Sequence, residues 1–266
     1  MDTLFPHITA ILALIPPSFL YFRREPKRDS VFWSVIIVAL CGVSLWVYLK
    51  QSVGWHTGLS AALWLTILAC LIIYICIAIV TDEAWRLNII LFPYLLLLGL
   101  FALMWDKVPE EPFLGNVHIA WIGTHILVSL GTYGFLTLAA LAAFAAMLRG
   151  RAIKTKIKTK FVYQLPSVAA SEKLLVNLLI ACVIVLSIGI ITGIASLYVS
   201  TGNLLALDHK TILALAVFVI IVFILFIHFI SGIRGRLAMR FVLLAYLLLS
   251  LGYPGVKYVK YVLLSS

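Results

Sequence analysis

Residues 117–150 read VHIAWIGTHILVSLGTYGFLTLAALAAFAAMLRG, and this stretch decides what kind of protein the chain is. Nearly every residue is apolar, and Arg149 and Arg151 close it. A helix of this length rises about 50 Å at ~1.5 Å per residue, whereas the hydrocarbon layer of a bilayer is about 30 Å thick. The stretch therefore predicts a long transmembrane helix that projects past one membrane face. His118 and His125 stand seven residues apart, close to two turns, so they share a face. Ser129 and Thr132 continue that face, and Gly131 and Gly134 let another helix approach closely. An ionisable side chain inside a span is costly and marks a candidate functional position.

Working outward, the 266 residues are 64% hydrophobic and 11% charged, a composition that excludes a soluble globular domain. Seven further apolar runs have the length of a span or nearly so: Leu4–Phe22, Val31–Leu49, Ala61–Val80, Leu87–Met104, Leu174–Val199, Thr211–Ile230 and the short Leu237–Leu251. The predicted fold class is all-α: a polytopic membrane helical bundle of about eight transmembrane helices, one integral membrane domain over residues 1–266. Pro16-Pro17 predicts a kink in the first helix. Pro93 predicts either a kink in the fourth or a place in its first turns.

The formal net charge of +10 would suggest nucleic acid in a soluble protein. Here the cations fall in alternate loops, fifteen on one side and five on the other, so they report topology instead. The positive-inside rule places the fifteen in the cytoplasm and both termini outside. No nucleic acid partner is expected. The segment before the first basic cluster lacks a basic n-region, so it reads as a retained helix rather than a signal peptide. The four cysteines all lie inside predicted spans with no CxxC, which argues against disulfides and zinc.

This orientation sorts the histidines. His7, His56, His118, His125 and His209 fall at or near the outer face, and His228 near the cytoplasmic face. His125 is the leading candidate, because neutral imidazole is a common ligand of transition metals and heme iron. His209 begins a span at the same face, and Asp208 before it can orient an imidazole. A bis-histidine heme site from His125 and His209 is one reading. The other is that His125 hydrogen-bonds across the bundle and His209 is interfacial. His118 and His228 are weaker candidates. Trp46, Trp55, Trp64, Trp85, Trp105 and Trp121 read as interfacial anchors. The run Lys154, Lys156, Lys158 and Lys160 suits a solvated loop or anionic headgroups of membrane lipids. Glu172 before the sixth span suits the positive end of a helix. No hydrolase, transferase or protease motif is present, so the chain is expected not to be an enzyme.

Several of these residues carry a family likeness. The order Leu165-Pro166, then Glu172-Lys173-Leu174-Leu175, resembles the cytochrome c assembly protein family. So do HILVSLGTYG opening at His125, Asp208-His209-Lys210 opening a span that closes in SGIRGRLAMRF, and the tail LGYPGVKYV. The resemblance covers residues 119–259 and leaves 5–118 as an N-terminal four-helix part. It is nearest to the small HemX/YpjD-type branch. It implies a bacterial plasma (inner) membrane protein that binds or handles heme, of b type, in c-type cytochrome biogenesis. It also implies His125 and His209 as the heme-iron ligands, and cytochrome c maturation or heme-synthesis proteins as partners. Family synthases carry a tryptophan-rich WWD loop between these histidines. This chain has only STGNLLALDH there, so a synthase activity is not expected. The alternative is a non-heme scaffold or regulator of heme metabolism that acts through its basic cytoplasmic loops. A transporter of hydrophobic ligands is a third reading.

Overall fold

A computed structural model describes residues 4–23, 27–53, 58–106, 119–156, 159–202, 209–231 and 236–252. Among these residues there are nine α-helices and no strand. They are α1 (Leu4–Ser18), α2 (Ser30–Val53), α3 (Leu59–Val80), α4 (Asn88–Met104), α5 (Ile119–Thr155), α6 (Lys160–Gln164), α7 (Val168–Thr201), α8 (His209–Ser231) and α9 (Arg236–Ser250). Seven segments are long and apolar enough to cross a membrane, and the last apolar helix, within α9, is shorter. The chain is an all-α polytopic membrane bundle.

The helix ends explain themselves locally. In α1, Pro16 and Pro17 remove two backbone donors, and the helix tightens to a 3-10 turn at Phe19–Phe22. Ser18 Oγ donates to Leu14 O at 3.0 Å. Pro93 is the sixth residue of α4 and lies inside the helix. At the end of α3, Arg28 donates to Ala78 O at 2.8 Å and occupies a carbonyl of the final turn.

One sequence expectation fails at α7. The helix begins at Val168, six residues before the expected Leu174, and has no acidic residue in its first turn. Glu172 therefore sits beyond the positive end of the helix. Ser167 caps it instead, its Oγ accepting from Ala170 N at 3.2 Å. Glu83 holds Ser167 in turn, accepting from its N–H at 2.6 Å and from its hydroxyl at 3.2 Å. Arg149 donates to Leu165 O, so the Leu165-Pro166 corner is pinned from two sides.

The chain divides into two compact units. The first comprises Met1–Phe113 and Leu148–Ser171, and the second Leu114–Met147 and Glu172–Ser266. In the first, Phe32, Trp46, Trp64, Tyr74 and Phe92 are fully buried between helices. In the second, small residues let backbones approach: Ala139, Ala142, Ala143 and Ala146 of α5 are buried. Tyr133 OH of α5 donates to Leu249 O of α9, and Phe223 of α8 meets Phe241 of α9 edge-on at 6.4 Å. Large apolar side chains such as Leu97, Ile184, Ile191 and Phe226 face outward, as expected where lipid rather than water surrounds the helices.

Candidate functional site

The second unit carries the strongest constellation. His125 is the seventh residue of α5 and is half-buried. Its Nδ1 lies 3.1 Å from Thr192 Oγ1 on α7. Thr192 is buried, and its hydroxyl lies 3.0 Å from Gly189 O as a donor. Two glycines make room for this contact. A Cβ on Gly193 would sit 3.3 Å from His125 Cε1, and one on Gly189 would sit 3.3 Å from Val128 Cγ1. Both distances are tighter than side chains ordinarily tolerate, so α5 meets α7 over a notch that glycine alone leaves open.

The expected stripe on α5 is thereby resolved into parts. His125 reaches across to α7, whereas Ser129 donates to His125 O at 2.8 Å and Thr132 to Val128 O at 3.0 Å within their own helix. The Thr132 carbonyl in turn lies 3.8 Å from Cys182 Sγ of α7. The Nε2 of His125 has no hydrogen-bond partner among the described residues.

The other predicted site residues fall differently. His209 is the first residue of α8, but its side chain lies outside the described residues, as do Asp208 and His118 altogether. Seven residues separate the end of α7 at Thr201 from His209, so the start of α8 lies within about 29 Å of Thr201. His228 is in the last turn of α8, with its ring 5.6 Å from that of Phe229. It stands about 28 Å along the axis from His209 and therefore belongs to the opposite end of the helix.

Neither Thr192 nor Gly193 stands out in the sequence by charge or motif. The signal was present in GIITG at 189–193, a small-xxx-small spacing that predicts a close helix contact. Its partner could not be named without a fold.

A second polar cluster lies in the first unit. His7 Nδ1 accepts from Trp64 Nε1 at 3.1 Å, and His7 Nε2 lies 3.0 Å from Asp106 Oδ1. Lys50 Nζ donates to the same oxygen at 2.8 Å. Trp46 stacks on Trp64 with ring centroids 5.1 Å apart, and His7 meets Trp46 edge-on at 5.0 Å. Trp46 and Trp64 are 1% and 0% exposed, so they are core residues, not the interfacial anchors expected of them. Asp106 feels opposing influences. Burial raises its pKa, but hydrogen bonds and charge from Lys50 and His7 outweigh burial and hold the carboxyl below its ordinary range.

Comparison with known proteins bears on both units. The family model described as cytochrome C assembly protein matches residues 55–264. A protein of Azospirillum brasilense, described as an uncharacterized 28.8 kDa protein in the nifR3-like 5' region, is 44% identical over 262 residues, covering 97% of each chain. The family match takes in α3 to α9, including His125, Thr192 and His209, and the chain belongs to the cytochrome c assembly protein family.

Proposed function

We propose that this protein binds or handles heme in the plasma membrane of a bacterium, as an accessory to c-type cytochrome biogenesis and without enzymatic activity of its own. The resemblance to the HemX/YpjD-type branch supports that grade of role. So does the tryptophan-free segment before His209, which lacks the platform of a synthase. The residues proposed to hold heme iron are His125 and His209, with Asp208 orienting the second. Heme bound there would supply redox-active iron, as cargo or as a resident b-type group.

The observation that carries this reading is the His125 contact with Thr192. A histidine that ligates iron through one nitrogen commonly donates from the other to a fixed acceptor, which sets its orientation. His125 has one nitrogen engaged by α7 and the other without a protein partner among the described residues. The chemistry of the donor fits a metalloporphyrin. His209 opens the helix that follows α7.

The test is an optical spectrum of the detergent-purified protein, oxidised and dithionite-reduced, before and after addition of hemin. The expected result is a six-coordinate low-spin Soret band that His125→Ala and His209→Ala each abolish. A spectrum that stoichiometric hemin leaves without a specific band overturns the assignment. It would favour the regulator reading, in which the basic cytoplasmic loops contact partner proteins.

A further inference from the structure

We infer that Thr192 is a positioning residue that fixes the tautomer of His125, placing the ring proton on Nδ1 and the lone pair on Nε2. This deepens the heme reading, but the proton placement is a property of the ligand-free protein and stands or falls separately.

Donors and acceptors decide where the ring proton sits. A threonine hydroxyl has one hydrogen and two lone pairs, whereas a backbone carbonyl only accepts. Thr192 Oγ1 lies 3.0 Å from Gly189 O and 3.1 Å from His125 Nδ1. If the hydroxyl hydrogen goes to the carbonyl, Thr192 can offer only a lone pair to the ring. Nδ1 must then be the donor, and the neutral imidazole must carry its lone pair on Nε2. The glycine notch keeps the ring in this relation, since a Cβ at Gly193 would press on Cε1. Thr192 is buried, so water does not readily replace its hydroxyl. The arrangement presents an unprotonated Nε2, the form that an iron or another transition-metal centre takes, without loss of a proton on binding.

The experiment uses the full-length protein in detergent, free of heme, with histidine uniformly labelled with 15N. Long-range 15N–1H correlation spectra report the tautomer, and His125→Gln identifies the His125 signals. The expected result is a single Nδ1–H tautomer in the parent protein, retained in Thr192→Ser and converted to a mixture or to Nε2–H in Thr192→Val. Hemin titration of the same three proteins should show an affinity loss of roughly 10–100-fold in Thr192→Val and recovery in Thr192→Ser. An Nε2–H tautomer in the parent, or a valine variant with unchanged tautomer, overturns the inference. The expected tautomers in a protein that binds no hemin uphold it and sink the heme reading instead.

Discussion

His7 Nε2 on α1 lies 3.0 Å from Asp106 Oδ1 beyond the end of α4, and Lys50 of α2 donates to the same oxygen. Three helices thus converge on one carboxylate whose side chain is 5% exposed. Removing its charge leaves the Lys50 ammonium and the His7 ring facing each other in a poorly solvated site. Asp106→Asn should cost on the order of 3 kcal/mol of stability in detergent, measured by thermal or denaturant unfolding. The pH dependence has a definite sign. The folded pKa is lowered from 3.8, so the stabilisation is complete above that value and is lost as pH falls through the depressed one. The parent should lose stability below about pH 4, and Asp106→Asn should lack that part of the acid limb. An unchanged limb would show that the carboxylate is not linked to folding.

Gly42 of α2 faces α1 so closely that a Cβ would sit 2.4 Å from Ala13 Cβ. Nothing flexible lies there to give way. Gly42→Ala should therefore force α1 and α2 apart and cost about 1–3 kcal/mol or more. Gly150, where a Cβ meets no atom within 4 Å, is the control. If Gly42→Ala unfolds at the same temperature as Gly150→Ala, the close approach of α1 to α2 is wrong.

Ser167 links the start of α7 to Glu83. Ser167→Ala removes the cap oxygen and should cost about 1 kcal/mol, within a usual range of ~0.5–2 kcal/mol. Glu83→Gln keeps the shape but weakens the charge-assisted bond, and should cost less than Ser167→Ala. Proteolysis at the Leu165-Pro166 corner should rise in both variants, a readout confined to this connection. Cleavage rates equal to those of the parent would count against the capping role.

Gly193→Ala places a methyl 3.3 Å from His125 Cε1. The ring must shift by a few tenths of an ångström, which disturbs its fit against α7. Under the proposed function, hemin affinity should fall roughly 10-fold or more while α-helical content stays constant, as read by optical titration and circular dichroism. Gly189→Ala presses on Val128 instead and should disturb helix packing more than binding. Equal hemin affinity in Gly193→Ala and the parent would detach the glycine notch from the site.

The segments that cross the membrane were legible in the sequence because hydropathy and length are local properties. Every apolar run coincides with a helix, although α5 continues to Thr155 and α7 starts at Val168, where Ser167 and its distant partner Glu83 set the start. His125 was legible for a similar reason, since an imidazole inside an apolar run is costly wherever the helix packs. Thr192 and the glycine notch were not. GIITG announces that something comes close, but many faces of a membrane helix carry small residues, and spacing along one helix cannot choose its neighbour.

Trp46 and Trp64 show where a local rule misleads. Both fall near predicted membrane boundaries, where tryptophan usually anchors to headgroups. The tertiary structure instead stacks them in the core beside His7, because that histidine supplies an acceptor for the Trp64 indole. By itself the sequence determined that the chain is a helical membrane bundle and which residue types could carry chemistry in it. The tertiary structure decided the partners: His125 with Thr192, His7 with Trp64 and Asp106, Glu83 with Ser167. The physical reason is that helix formation and membrane insertion are satisfied within each segment, whereas a buried polar atom must find its partner on another one.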